Sequence, residues 1–229
     1  MEKKLLYLGY AVNDKEAELL SGASIAGNKM QLNLLKELSK KVNIEAVTIY
    51  PVASYPRDCH MYYKKDMRNL FHGLKYIRIS FLNFPGIKQI CQIIMTFLEI
   101  SRFVRSNPKG IVLTYNMYPQ LGIPVLLMKL FFKKKVFTLL ADLPLDERRN
   151  RSFISKICKK IYDKLTVVCI RHIDYAIVLN EHVISEYKLN IPYIVMEGAV
   201  NASEINKQKR SSKEKNIVYT GALTEYSGI

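Results

Sequence analysis

The sequence predicts an α/β fold with a doubly wound parallel sheet, and three observations support it. Short apolar runs, such as residues 5–10 and 111–115, recur between segments whose apolar residues follow helical spacing. These runs lack the polar alternation of half-exposed strands, as expected where helices cover both faces of a parallel sheet. The 229 residues are enough to bury a core of this kind without disulfides.

The first fifty residues predict one crossover unit. A strand at 5–10 leads into a glycine-bearing loop at 9–27, and apolar residues at helical spacing then predict a helix across 30–38. A second strand is predicted at 43–50. Strand, loop, helix and strand in this order are typical of a right-handed crossover between parallel strands.

The rest of the chain repeats this alternation after a weaker stretch at 51–84, where only a short helix at 66–74 and a strand at 76–81 are predicted. The next helix is predicted at 87–105, and turn residues at 107–110 end it. The elements that follow are predicted as a strand at 111–115, a helix at 120–132, a strand at 136–140, an amphipathic helix at 152–171, a strand at 175–179, a helix at 182–189 and a strand at 193–196.

The charge of the chain favours anionic partners. The formal net charge is +15, from 35 Lys and Arg against 20 Asp and Glu. Such an excess attracts nucleic acid, anionic lipid or phosphorylated small molecules, although a basic surface in water is the simpler explanation. Basic residues are concentrated at 133–171, which predicts a local patch.

The cysteines and the apolar segments exclude several classes of protein. No cysteine pair has metal-site spacing, so we expect no metal site and no disulfide framework, but buried thiols in a reducing compartment. The apolar N-terminal run is too short for a secretion signal, and the apolar segment at 121–132 is too short to span a bilayer. We expect a cytoplasmic protein. The four cysteines are Cys59, Cys91, Cys158 and Cys169.

The end of the chain carries a family resemblance. Asp174 precedes an apolar strand, Asn180 and a helix, and a second apolar strand ends in Gly198 and Val200. This order resembles the junction that closes the N-terminal domain of the retaining glycosyltransferases of family 4, which have the GT-B fold. Residues 216–229 then resemble the strand and glycine turn that open the second domain, through Gly221. Asn180 stands where the family usually has Ser, and Glu197 where it has Asn.

The resemblance implies transfer of a sugar from a nucleotide-sugar to a glycan or lipid-linked acceptor, in cell-surface polysaccharide synthesis. It implies an N-terminal acceptor-side domain at 1–200, a linker at 201–215 and the beginning of a donor-binding domain at 216–229. The family's donor-site residues lie beyond the position of Gly221. We therefore expect one GT-B half, truncated before the second domain and inactive alone, with no bound cofactor.

The resemblance and the predicted topology select candidate site residues. Ser24, Gly27 and Asn28 follow the first strand, where glycine loops and helix N-termini contact acceptors or phosphates, or where they simply cap the next helix. Asp142 follows the fifth predicted strand, at 136–140, where the family often places a polar residue that faces the transferred sugar. The resemblance implies that it orients a hydroxyl or stabilises positive charge on the sugar ring; the simpler alternative is that it caps the next segment. The predicted cleft residues are Asn180, Glu197, Gly198 and Gly221.

The basic helix at 152–171 is the candidate membrane surface. Its lysines could lie against an anionic membrane at the inner face of the cell, or they could be solvated on an ordinary packed helix. A non-catalytic basic binding protein for nucleic acid or anionic membrane is the alternative function, but no recognition helix or basic–aromatic pattern favours nucleic acid. A non-hydrolysing epimerase of similar shape is a third. The candidate membrane lysines are Lys156, Lys159, Lys160 and Lys164.

Overall fold

The computed structural model describes residues 4–142 and 153–196. Strands and helices alternate through most of this part of the chain, as predicted. The strands are β1 (Lys4–Gly9), β2 (Asn43–Thr48), β3 (Tyr62–Tyr63), β4 (Asp66–Phe71), β5 (Leu74–Arg78), β6 (Phe81–Leu82), β7 (Ile111–Tyr115), β8 (Phe137–Leu140), β9 (Tyr175–Val178) and β10 (Tyr193–Val195). The helices are α1 (Asp14–Leu19), α2 (Ile25–Ser39), α3 (Ile87–Ser106), α4 (Pro119–Phe132), α5 (Phe153–Arg171) and α6 (His182–Glu186).

Eight strands form one sheet in the order β10-β9-β8-β7-β1-β2-β5-β4, and β3 and β6 form a separate antiparallel pair. All neighbours in the large sheet are parallel except β4, which pairs antiparallel with β5. The chain starts in the middle of the sheet at β1 and extends it first in one direction and then in the other. This order confirms the predicted doubly wound α/β fold.

Helices cover both faces of the sheet, and β1 shows why. Leu6 and Leu8 point to one face and pack in a core with residues of α3, α4 and α5. Leu5 and Tyr7 point to the opposite face and pack in a second core with residues of α1 and α2. Successive residues of a strand point to opposite sides, so an apolar strand can feed two cores.

Two predictions for the first half of the chain were wrong. The segment predicted as a helix at 66–74 is β4 and the turn into β5, because its side chains alternate in burial and Gly73 adopts φ 91° in the turn. The predicted loop at 9–27 contains α1, which the Asn13 side chain caps by accepting a hydrogen bond from Glu16 N at 2.9 Å. Helix α2 begins at Ile25, so Gly27 lies in its first turn.

Two further expectations hold only in part. All four cysteines are free, but Cys169 alone among them is buried, whereas Cys59 and Cys158 are exposed. The apolar stripe predicted on the amphipathic helix is present on α5, yet its residues from Ile157 to Val168 are exposed, and the sheet side is formed by Thr166, Cys169 and Ile170. Among the described residues, no helix has both the length and the apolarity to cross a membrane.

Candidate functional site

The strand order identifies where a ligand would bind. The chain leaves β1 towards α2 on one face of the sheet and leaves β7 towards α4 on the other, so these adjacent strands form a topological switch point. A crevice opens at the carboxyl ends of such strands because the following helices diverge. The structure has a groove of about 410 Å³ at this place, lined by the ends of β1, β2 and β7 and by parts of α2 and α3. We call it the switch-point groove.

The first turn of α2 forms one wall of the groove and contains the predicted Ser24, Gly27 and Asn28. Ser24 is the N-cap, and its Oγ accepts a hydrogen bond from Gly27 N at 3.1 Å. A Cβ atom at Gly27 would lie 3.2 Å from both Ser24 Oγ and the Tyr115 hydroxyl. The capping contact is therefore present, and the small residue keeps the helix close to the end of β7.

Asn28 stabilises the loop that follows β1. Its Oδ1 accepts from Val12 N at 2.9 Å and its Nδ2 donates to Val12 O at 3.0 Å, with the side chain buried. Gln31, one turn later, accepts from the Tyr7 hydroxyl at 2.8 Å and from Tyr10 N at 3.0 Å. Both amides hold the loop in place beside the groove. Gln31 was not predicted from the sequence.

Asp142 lines the groove, and two residues at the end of β7, Tyr115 and Asn116, donate hydrogen bonds to its side chain, Tyr115 through its hydroxyl at 3.5 Å. Asn116 Nδ2 donates to Asp142 Oδ2 at 3.1 Å, and Asn116 Oδ1 accepts from Ala141 N and Asp142 N at 2.8 and 3.0 Å. Asn116 has φ 61°, a left-handed conformation that asparagine tolerates better than most residues. Burial, followed by the charge of Asp142, raises the pKa of Tyr115 above its ordinary value.

Tyrosine side chains form an aromatic wall of the groove. The rings of Tyr10 and Tyr118 meet edge to face with centroids 6.4 Å apart, and the rings of Tyr118 and Tyr162 are stacked at 6.1 Å. Burial, with a further contribution from Asp142, raises the pKa of Tyr118 to about 12. The phenol groups therefore remain protonated at neutral pH and can donate hydrogen bonds. The sequence shows these tyrosines without showing that they converge.

The polar side of α3 closes the groove opposite α2. Lys88, Gln89 and Gln92 line it, and Gln92 is almost completely buried. Lys88 Nζ donates to Val52 O at 2.5 Å, and burial lowers the pKa of this amine. In the described part of the chain, Gln89 Oε1 and Gln92 Nε2 are buried and have no hydrogen-bond partner. Both residues lie at the wall of the groove.

The other predicted site residues that the structure describes do not line the groove. Asn180 Oδ1 accepts a hydrogen bond from the backbone N of His182, the first residue of α6, at 2.8 Å. The predicted cleft residues Glu197, Gly198 and Gly221, the predicted linker at 201–215 and the segment at 216–229 lie outside the described residues. On α5, Lys159 pairs with Asp163 at 2.6 Å, whereas the other three candidate membrane lysines are exposed.

Within residues 4–142 and 153–196, one cluster has atoms of the types that bind metals. Asp58, Cys59 and His60 bring one such atom each within 4.8 Å of one another. However, the residues are consecutive, and Asp58 is already engaged by His60 N at 2.8 Å and by the Tyr63 hydroxyl at 2.9 Å. These contacts describe a hydrogen-bonded turn.

Comparison with solved structures supports the fold. Sucrose-phosphate synthase from Thermosynechococcus elongatus is 10% identical, with a TM-score of 0.52 over 84% of this chain and 47% of that one. UDP-N-acetylglucosamine 2-epimerase from Rickettsia bellii is 14% identical, with a TM-score of 0.42 over 85% and 44%. UDP-GlcNAc 2-epimerase from Neisseria meningitidis, bound to UDP-GlcNAc, is 14% identical, with a TM-score of 0.43 over 84% and 45%.

The likeness to sucrose-phosphate synthase agrees with the strand order: the sheet and its two helical layers match one Rossmann-like half of the GT-B fold. The chain spans about half the length of each of the three structures. At such low identity the likeness concerns the fold alone. No protein-family model and no curated protein sequence matches the chain.

Proposed function

We propose that the switch-point groove is the acceptor-side site of a glycosyltransferase that transfers a sugar from a nucleotide-sugar to a glycan or a lipid-linked acceptor. The observation that carries the proposal is the set of amide and carboxylate side chains, Gln89, Gln92 and Asp142, that line one groove at the switch point. A ligand rich in hydroxyl groups would pair with such groups.

The composition of the groove walls suits a carbohydrate. A sugar presents many hydroxyl groups that both donate and accept hydrogen bonds, and amides and carboxylates supply the complementary atoms. Gln89, Gln92 and Asp142 offer these groups around one groove. The tyrosine wall adds flat apolar surfaces with polar tips, which pack against the body of a ring-shaped ligand. Few charged groups are needed for such recognition.

Asp142 has the role of a positioned carboxylate in this proposal. Asn116 donates to one of its oxygens, and the other, which has no partner among the described residues, would orient a hydroxyl or stabilise positive charge that develops on the transferred sugar. The N-terminal turn of α2 faces the same groove, and helix N-termini favour anions such as a diphosphate. The groove thus offers one place for a carbohydrate and, beside it, one for phosphate.

Membership of glycosyltransferase family 4, a role in cell-surface polysaccharide synthesis and a donor-binding half that completes the site remain proposals. They are supported by the sequence pattern at 173–200 and by the GT-B half fold. We also propose that Lys156, Lys159, Lys160 and Lys164 face an anionic membrane at the inner face of the cell. Titration with different sugars and nucleotide-sugars identifies the sugar and the nucleotide.

Calorimetric or NMR titration of the 229-residue protein with oligosaccharides, nucleotide-sugars and a polyprenyl-diphosphate sugar tests the proposal. We expect saturable binding of at least one of these, weakened about tenfold or more by Gln92→Leu and by Asp142→Asn. Asn180→Ala is the matched control, because Asn180 lies away from the groove. Absence of saturable carbohydrate binding, together with salt-dependent binding to random oligonucleotides, would instead support the nucleic-acid alternative.

A further inference from the structure

The first half of helix α3 is amphipathic in the reverse of the usual sense. Over residues 88–99 its buried side contains Lys88, Gln92, Thr96 and Glu99, whereas the second half buries Ile100, Phe103 and Val104 in the core that includes Leu6 and Leu8. Its outer side contains Ile87, Ile90, Ile94 and Leu98, each between 48% and 59% exposed. The spacings of three and four residues place these four apolar side chains on one face of the helix. A helix that faces water would be expected to show the opposite arrangement.

The neighbouring helices extend this apolar surface. Helix α4 packs between α3 and α5, and the rings of Phe97 and Phe131 meet with centroids 6.2 Å apart. On α4, Leu130 and Phe131 are the most exposed, at 70% and 66%. On α5, the exposed apolar residues are Ile157, Ile161, Leu165 and Val168. We call these six residues and the four of α3 the outer apolar face. Soluble monomers rarely expose contiguous apolar patches of more than a few hundred Å².

The charges beside the outer apolar face indicate what covers it. Glu99 and Asp163 are the acids on α3, α4 and α5, and each is engaged in an ion pair. Lys156, Lys160 and Lys164 are exposed on α5 and alternate with its apolar residues. Protein–protein interfaces are depleted in lysine, and a symmetric second copy would bring these cations near one another. Lysines beside exposed apolar side chains are typical of helices that lie in an anionic membrane interface.

We propose that the outer apolar face inserts shallowly into the headgroup region of an anionic bilayer, with Lys156, Lys160 and Lys164 at the lipid phosphates. The proposal extends the membrane contact of these lysines from one helix to three and supplies the apolar part of the binding. The inner, polar side of α3 lines the switch-point groove. A membrane on the outer side of α3 therefore places the groove next to the lipid surface, where a lipid-linked molecule is within reach.

Vesicle flotation of the whole chain tests this proposal. We expect binding to phosphatidylcholine vesicles that contain about 30% phosphatidylglycerol, weak binding to pure phosphatidylcholine, and loss of binding at high salt. The double variant Ile90→Ser, Leu130→Ser should lower the partition coefficient about tenfold or more, because both side chains are largely exposed in the free protein. The triple variant Lys156→Gln, Lys160→Gln, Lys164→Gln should lower it by about fivefold per lysine on anionic vesicles.

Leu19→Ser is the matched control. Leu19 is 85% exposed, but it lies at the end of α1 on the opposite face of the sheet, so its loss should leave vesicle binding unchanged. Circular dichroism checks that each variant is folded. Equal binding to neutral and anionic vesicles, or undiminished binding of the double variant, would overturn the proposal. So would light scattering that shows a dimer which the double variant dissociates, because a second copy would then cover the face.

The vesicle result is separable from the proposed function. Gln92→Leu changes the groove and leaves the outer apolar face intact, so it should bind vesicles like the parent protein. The double variant changes the outer side of α3 and α4 and should still bind a soluble oligosaccharide. Failure of carbohydrate binding with normal vesicle binding would contradict the proposed function alone, and the reverse pattern would contradict the membrane proposal alone.

Discussion

Replacing Gln92 by leucine should make the protein more stable and remove its ligand. Gln92 is 1% exposed on the inner side of α3, and its Nε2 atom has no hydrogen-bond partner among the described residues. A buried polar group without a partner costs about 1–3 kcal/mol. Leucine has a similar volume and no polar atom, so Gln92→Leu should raise the free energy of unfolding by about 2 kcal/mol. A melting temperature about 4–8 °C higher would follow for a chain of this size.

Thr96→Val separates the two effects of the Gln92 variant. Thr96 lies one turn later on the same side of α3, is fully buried, and has a hydroxyl without a partner among the described residues, but it does not line the groove. Its replacement should stabilise the fold by about 1 kcal/mol and leave carbohydrate binding unchanged. If both variants gain stability but only Gln92→Leu loses carbohydrate binding, the lost binding is due to Gln92 itself and not to apolar substitution of this side of α3.

Urea unfolding followed by circular dichroism at the helix band measures the stabilities, because the chain has no tryptophan to report by fluorescence. Titration with the carbohydrate that binds the parent protein measures the site. If Gln92→Leu lowers the free energy of unfolding by more than about 1 kcal/mol, the amide must have a partner in the native protein, and the argument from unsatisfied atoms fails. If it stabilises the fold and still binds ligand with parental affinity, the amide does not belong to the site.

Three more predictions follow from the described contacts. Asn116→Ala should lower the free energy of unfolding by about 3 kcal/mol in urea titrations, because it loses three hydrogen bonds and places alanine in a left-handed conformation. Asn116→Gly should recover about 1 kcal/mol of this loss, because glycine adopts that conformation without strain. Equal losses in the two variants would contradict the backbone contribution. Burial lowers the pKa of Lys88 in the folded state below its ordinary 10.5. At pH values between these two, the unfolded chain binds more protons than the folded chain, so the free energy of unfolding rises with pH. Urea titrations at several pH values up to about 10.5 should show a larger rise in the parent protein than in Lys88→Met, and equal slopes would contradict the prediction. Burial raises the pKa of Cys169 to about 11, so thiol reagents at neutral pH should label the exposed Cys59 and Cys158 first, and mass spectrometry that finds Cys169 labelled at the same rate would contradict its burial.

The periodic parts of the fold could be predicted from the sequence, because each strand and helix there is set by local pattern. The predicted strand at 111–115 coincides with β7, and the predicted helix at 87–105 ends one residue before α3 does. The hairpin of β4 and β5 was missed because pairing between strands, rather than local periodicity, creates it. Helix α1 was missed because six residues with one buried alanine carry no periodic signal.

The site was predictable where topology places residues and unpredictable where side chains converge. Ser24, Gly27, Asn28 and Asp142 follow the carboxyl ends of strands, and the structure brings all four to one groove. The sequence offered a similar signal for Asn116, which follows β7 directly. It offered none for Gln31 or Gln92, because their roles depend on which side of a helix faces the sheet.

Helix α3 shows the physical limit of that kind of prediction. Apolar residues at helical spacing indicate that one face of a helix avoids water, but they do not indicate what that face contacts. In α3 the buried side is polar over residues 88–99 and apolar at Ile100, Phe103 and Val104, and at least two of the buried polar residues carry atoms without partners among the described residues. Each such atom costs about 1–3 kcal/mol against a total stability of about 5–15 kcal/mol. Stability alone would favour apolar residues on the buried side of these first turns and polar residues outside, so the arrangement agrees with the proposed ligand on the inner side and lipid on the outer side.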